Sequence, residues 1–255
     1  MAIHLRQVCL VAETLEPVVS DLETVFGLRR CYVDPDVGQF GLENTLLAIG
    51  SDFIEVVSPI REETAAGRYL ERRGGDGGYM VIGQVASQAE QAACRQRAAD
   101  NAVRVAWEYE RPGYRIMQLH PGDMRAAFLE IDWEKRAEMD GFWPPAGGDQ
   151  WKDNTTSGAV LRGVELQGPD PEALTCHWAD IAGAKPEQGA ECTRFALANA
   201  DLRFVKDTDG RGPGLSGVDI AATDGAGMIE RARQRGCRVD DRTIIIGGVR
   251  FALNG

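Results

Sequence analysis

Phe53-Ile-Glu-Val and Phe128-Leu-Glu-Ile match position for position at an offset of 75 residues, and each closes a longer pattern that also recurs. Such repetition decides an architecture before any local reading does. The first copy opens with the strand-like run Gln7-Val-Cys-Leu-Val. A helix is predicted over Thr14 to Phe26, with Leu15, Val18, Val19, Leu22 and Phe26 at helical spacing and Gly27 as its stop. Shorter strand-like runs then lead to Phe53. The second copy opens at Met80-Val-Ile-Gly-Gln-Val, and its helix begins with Ser87-Gln-Ala-Glu90, a capping box in which two side chains satisfy each other's orphan amides. The third and fourth copies open at Gly163-Val-Glu-Leu and Gly217-Val-Asp-Ile, 54 residues apart, and end at Leu202-Arg-Phe-Val and Val249-Arg-Phe-Ala. Asp170-Pro171 predicts the cap and first residue of the third helix. The order is one strand, one helix and about three strands, four times over. An α+β chain of four βαβββ modules is expected.

Residues 136–156 interrupt this rhythm with Pro144-Pro145, Gly147-Gly148, Trp143 and Trp151. They read as a connector between an N-terminal domain over 1–135, carrying the candidate site, and a degenerate C-terminal domain over 157–255. Tryptophans in a connector must bury against something, either the two halves or, for Trp143, a ligand cavity. With 28 basic against 39 acidic residues the net charge is −11, which argues against a nucleic-acid footprint and an anionic membrane surface. No run approaches the roughly 18 apolar residues of a membrane helix. The start, Met1-Ala-Ile-His-Leu-Arg-Gln, has no export signal, and the six cysteines form no C-x-x-C pair. A cytoplasmic protein with reduced thiols is expected.

Strand alternation places Gln7, Cys9 and Val11 on one face, Phe53, Glu55 and Val57 on another, and Phe128, Glu130 and Asp132 on a third. Glutamates between apolar strand neighbours are rarely buried unless paired, and Glu55 and Glu130 occupy repeat-equivalent positions. If they converge, either a hard cation accepts both together with Gln7, or like-charge repulsion raises one pKa and leaves an acid/base pair. Both routes lead to proton abstraction next to a carbonyl. The three histidines, His4, His120 and His177, do not supply the two-His, one-carboxylate iron site of extradiol ring cleavage. There is no G-x-S-x-G or H-E-x-x-H, and Gly210–Gly217 does not stand between a strand and a helix as a phosphate cradle does. The stretch from Arg61 to Arg73 reads as a solvated helix face whose arginines can steer an anionic substrate.

The strand–helix–three-strand units, the x-V-x-L-x-V first strand and the F-[IL]-E last strand resemble the vicinal-oxygen-chelate superfamily of glyoxalases, methylmalonyl-CoA epimerases, extradiol dioxygenases and bleomycin-resistance proteins. The stretch from His120-Pro-Gly-Asp to Phe128-Leu-Glu130 is similar to the segment closing the second module of the epimerases. The resemblance implies two tandem glyoxalase-like domains, each of two βαβββ modules forming a curved incomplete barrel. It implies one divalent metal, Mg, Mn, Ni, Zn or Fe, in the N-terminal domain and none in the C-terminal one. Carried over by position, the ligand sites fall on Gln7, Glu55, Met80 and Glu130, of which Met80 departs from the family's histidine; Gln7, Glu55 and Glu130 form the candidate metal set. Gly163, Phe204, Gly217 and Phe251 take these positions in the second half. The function implied is an isomerase or lyase acting on a small metabolite, with Glu130 as base and Glu55 as partner. Gln7, Met80, His120, Phe53, Phe128 and Trp143 are the substrate-binding candidates. The alternative is metal-free sequestration of a small molecule, as in bleomycin-resistance proteins. The expected partner is that small molecule, with no nucleic acid or membrane and with a homodimer as the assembly to test.

Overall fold

A computed structural model describes residues 3–155, 158–189 and 193–254. Cys192 lies outside them; none of the other five cysteines forms a disulfide among the described residues. The first module comprises β1 (His4–Val11), α1 (Leu15–Phe26), β2 (Arg29–Tyr32), β3 (Leu42–Ile49) and β4 (Asp52–Pro59), followed by α2 (Ala65–Arg73). The second comprises β5 (Gly77–Val85), α3 (Gln88–Asp100), β6 (Val105–Arg111), β7 (Tyr114–Leu119), the short α4 (Pro121–Met124) and β8 (Phe128–Glu134). The third comprises β9 (Ala159–Gly168), α5 (Pro171–Ala182), β10 (Glu187–Gln188), β11 (Thr193–Ala196) and β12 (Asp201–Lys206). The fourth comprises β13 (Gly214–Ala222), α6 (Gly225–Gln234), β14 (Arg238–Asp240), β15 (Thr243–Ile246) and β16 (Val249–Asn254).

One topology serves all four. The last strand lies beside the first: β8 parallel to β5, β12 to β9, β16 to β13, and β4 next to β1. The third strand runs antiparallel to the last, and the second antiparallel to the third. Parallel pairing within a module requires a crossover, which the helix supplies. The expected α+β fold of βαβββ modules is present. Among the described residues no helix is long and apolar enough to cross a membrane.

Local signals hold in detail. Gly27 ends α1 at φ 69°, in the left-handed region that glycine enters without strain. Asp170 accepts the Ala173 amide at 3.0 Å, with Pro171 first in α5. At α3, Ser87 Oγ accepts the Glu90 amide at 3.2 Å, but Glu90 reaches back to the amide of Ala86 at 3.0 Å. The Glu90 carboxylate thus satisfies the amide just before the cap. On α2, Arg68 and Arg72 are exposed, as expected of a solvated face, whereas Arg73 is buried.

The contacts divide the chain into two compact units. One holds the second and third modules with Met1–Gln7; the other holds the first and fourth modules with Trp143–Arg162. In the first unit α3 packs against α5, and Arg97 Nε donates to the Ile181 carbonyl at 2.9 Å. Trp178 is fully buried, donates from its indole to the Met124 carbonyl at 2.8 Å and meets Phe204 edge-on. Beside it Ile3, Leu5, Val81 and Phe195 line an apolar cavity of about 10 Å³, too small for a ligand. In the second unit α1 packs against α6, Phe26 meets Phe251 at 5.1 Å, and Arg231 Nε donates to the Val25 carbonyl at 3.0 Å. Phe53 stands edge-on to the buried Trp151 at 5.2 Å.

Trp178 joins two modules by shape and by one hydrogen bond. Trp178→Ala is expected to lower stability by about 3–5 kcal/mol through the cavity it leaves. Trp178→Phe is expected to lose less, about 1–3 kcal/mol, through the unsatisfied Met124 carbonyl. Urea unfolding of the two variants against wild type measures both.

Candidate functional site

Strand β8 presents two faces of opposite chemistry. Ile131 lies under α3, whose buried Gln91 donates to the Ile131 carbonyl at 2.8 Å. Leu129 and Ile131 therefore turn to the helix, and Phe128, Glu130, Asp132 and Glu134 turn to the other side. The register extends that second face across the module. Opposite Glu130 stand Ile82 on β5 and Gln118 on β7, and Trp107 on β6 stands opposite Gln118. Opposite Asp132 stands Gln84, and opposite Phe128 stands Met80.

The polar groups of this face hold one another in place. Gln118 Nε2 donates to Glu130 Oε2 at 2.6 Å, and the Tyr114 hydroxyl donates to Asp132 Oδ2 at 2.6 Å. Glu130 is buried and Asp132 completely so. Burial above all, and then the hydrogen-bonded Glu130 carboxylate, push the Asp132 carboxyl well above the usual carboxylate range, against the opposing effect of the Tyr114 hydroxyl. Burial and the two carboxylates likewise raise the Tyr114 phenol. Asp132 Oδ1 accepts no donor from the described residues. The neutral form of Asp132 is thereby favoured beside Glu130 on the same face, an arrangement that suits an acid and a base.

Arg6 on β1 is fully buried within the same unit, and its commitments are specific. It donates to Gln84 Oε1 at 2.6 Å, to the Glu138 carbonyl at 3.0 Å and to the Gly141 carbonyl at 3.1 Å. A guanidinium only donates, so it fixes the Gln84 amide with oxygen toward Arg6. Gln84 Nε2 is left buried with no acceptor among the described residues, on the strand position opposite Asp132.

The residues expected from sequence distribute as follows. Glu130, Phe128 and Met80 share the β5–β8 face, with the Phe128 ring 5.1 Å from Tyr79. Gln7 is buried on β1 within the same unit. His120 caps α4, its Nδ1 accepting the Gly122 amide at 3.2 Å, beside the Arg104–Asp123 ion pair. Glu55, Phe53 and Trp143 belong to the other unit. There Glu55 is buried on β4 and accepts the Asn44 amide at 2.7 Å, while Asn44 accepts from the Asp34 amide at 3.0 Å. Trp143 is completely buried in a turn closed by Gly148. The sequence reading did not single out Asp132 as the neighbour of Glu130, nor Gln118, Tyr114, Gln84 or Arg6. Alternation already set Asp132 on the Glu130 face. Pro112-Gly113, a two-residue hairpin turn with Gly113 at φ 83°, sets Tyr114 opposite Arg111 and Gln118 opposite Trp107.

The divalent metal that the resemblance implies does not suit these residues. A hard cation takes six or more oxygen ligands, whereas Met80 offers a thioether and one Glu130 oxygen is held by Gln118. Among the described residues no three His, Cys, Asp or Glu side chains gather as a metal group.

No protein-family model matches the chain, and no curated protein matches it in sequence. Solved structures match in fold. A variant of 4-hydroxymandelate synthase from Streptomyces coelicolor superposes with a TM-score of 0.66 at 14% identity, over 92% of this chain and 76% of that one. A hypothetical protein from Staphylococcus aureus superposes at 0.65 and 12% identity, over 100% and 99%. Methylmalonyl-CoA epimerase from Mycobacterium tuberculosis covers 51% of this chain and 87% of its own at 20% identity, with a TM-score of 0.44. At these identities the likeness is one of fold. The tandem arrangement of four βαβββ modules that the sequence resemblance implied is the fold these structures share with the chain.

The raised Asp132 carboxyl has a thermodynamic consequence. Above about pH 4 an unfolded aspartate is ionised. The folded protein then holds the proton more tightly than the unfolded chain, so stability falls as pH rises through the raised folded value. Asp132→Asn removes this loss and keeps an acceptor for Tyr114. Its urea midpoint relative to wild type is expected to rise from mildly acidic to neutral pH; a constant difference across that range refutes the raised carboxyl.

Proposed function

We propose that the Glu130 face is a metal-free proton-transfer site and that the protein is an isomerase or lyase acting next to the carbonyl of a small metabolite. The observation that carries the reading is the buried Glu130–Asp132 pair on one strand face, where burial and the neighbouring carboxylate hold Asp132 above the usual carboxylate range. In the proposed step Glu130 takes a proton from the carbon beside the carbonyl. The electron pair of the broken C–H bond moves into the carbonyl, and the oxygen that gains charge is met by the Asp132 proton and the Gln84 amide. Gln118 orients the base and Tyr114 orients the acid. Return of the proton to the other face gives an isomer; departure of a neighbouring group gives a lyase. Uptake without chemistry is the competing reading, favoured by Met80 where the superfamily resemblance implies a hard ligand.

Solvent-deuterium exchange separates the two. Across a panel of small ketones and carboxylic acids in D₂O, wild type is expected to label the carbon next to the carbonyl of its substrate. Glu130→Gln is expected to slow labelling by about 10²–10⁴-fold, the usual contribution of a positioned base, with the fold retained. Binding without exchange leaves the sequestration reading in its place.

Chelator treatment is expected to leave both the exchange rate and the unfolding midpoint unchanged. A saturable rise in midpoint with Mg²⁺ or Mn²⁺ that vanishes in Glu130→Gln overturns the metal-free assignment.

A further inference from the structure

The face that carries the carboxyl pair ends in an aromatic stack. Trp107 and Tyr109 project from β6 with ring centroids 6.1 Å apart and planes within 2° of parallel. Trp107 stands opposite Gln118 and Tyr109 opposite Ile116, so both rings belong to the Glu130–Asp132 face. Tyr109 is 42% exposed, one of the few large apolar side chains left so open, and Trp107 is half-buried. From this half-exposed edge the face runs inward over Ile116 and Gln118 to Glu130, Asp132 and the buried Gln84 amide, whose Nε2 has no acceptor among the described residues. Polarity therefore changes along one line, from flat and apolar outside to hydrogen-bonding and proton-bearing inside.

We infer that this line is the binding track for an aryl-carbonyl compound: a planar aromatic ring extends the Trp107–Tyr109 stack, and its short carbonyl-bearing chain reaches the Glu130–Asp132 pair. The inference rests on the proton-transfer reading of that pair and adds the substrate class. From β6 to β8 is two inter-strand spacings, about 10 Å, which an aryl ring with a chain of a few atoms spans together with the Glu130 side chain. Parallel and edge-to-face aromatic contacts favour such a ring over an aliphatic group of equal size. Gln84 Nε2 supplies the donor that a carbonyl oxygen requires once it leaves water.

Benzylacetone and butanone test this, since they share a ketone head and differ by the ring. Calorimetric titration and saturation-transfer NMR are expected to give about tenfold tighter binding of benzylacetone, with transfer strongest at its ring protons. Trp107→Leu and Tyr109→Ala, both at incompletely buried positions, are expected to abolish the preference, and Glu130→Gln to keep it. Equal affinity for the two ketones, or a preference that survives in both aromatic variants, overturns the inference. Deuterium exchange on the same samples reports the carboxyl pair separately. Ring preference without exchange supports the aromatic track and removes the proton-transfer reading; exchange of both ketones without ring preference does the reverse.

Discussion

Parallel pairing of the first and last strands within each module is the constraint on which the site depends. It sets Ile82 beside Glu130 and Gln84 beside Asp132, and it obliges the intervening chain to cross over as a helix. The helix then selects the faces. Leu129 and Ile131 are buried under α3, and the two-residue period of a strand leaves Glu130 and Asp132 no choice but the opposite side. A slip of one residue would send both carboxyls into the apolar layer below α3, so the register is held by the aliphatic residues between them. The carboxyl pair is buried as a consequence of packing that its neighbours dictate.

What the burial does chemically depends on which donors accompany it. Tyr114 and Gln118 are neutral, so they orient the carboxyls without neutralising them. A guanidinium in their place would hold both groups ionised and leave two weak bases. Arg6 is buried in the same unit, yet its donors are spent on Gln84 and on carbonyls of the segment after β8. That arrangement turns the Gln84 amide rather than the carboxyls. With neutral donors on the acids and the cation on the amide, nothing offsets the burial that raises the Asp132 carboxyl.

Repetition made the fold legible, because a Phe-x-Glu strand end recurring beside the same strand–helix order admits few architectures. Caps at Gly27 and Asp170 were legible for the same local reason, each being a property of a few adjacent residues. The partner of Glu130 was harder. Equivalence between repeats points to Glu55, whereas the nearest carboxyl in the strand is Asp132, two residues on, which alternation had already set on that face. Repeat symmetry describes ancestry of positions, and hydrogen bonding follows distance. Gln118 and Tyr114 were within reach of the Pro112-Gly113 turn, which fixes the register of β6 and β7. Arg6 was not, since its acceptors include carbonyls more than a hundred residues away that no local pattern announces. The grouping of the second module with the third, and of the first with the fourth, rests on the same kind of distant contact.

The third module shows what the scaffold does with a cation on that face. Phe204 meets Trp178 of α5, so it turns toward the helix, and the position that corresponds to Glu55 by sequence falls on the apolar side. Alternation gives the opposite face to Arg203 and to its register partner Glu165, which form an ion pair at 2.9 Å. Charge there is balanced by direct contact, and a carboxylate held by a guanidinium has little tendency to take a proton near neutral pH. In the second module no cation is among the groups that set the ionisation of Asp132, and burial beside Glu130 holds its carboxyl above the usual range. The two modules share strands, helix and register, and differ in one electrostatic choice. A carboxyl kept neutral by burial can give up a proton, whereas a carboxylate held by an arginine has none to give, and this difference is why the proposed chemistry is assigned to the second module.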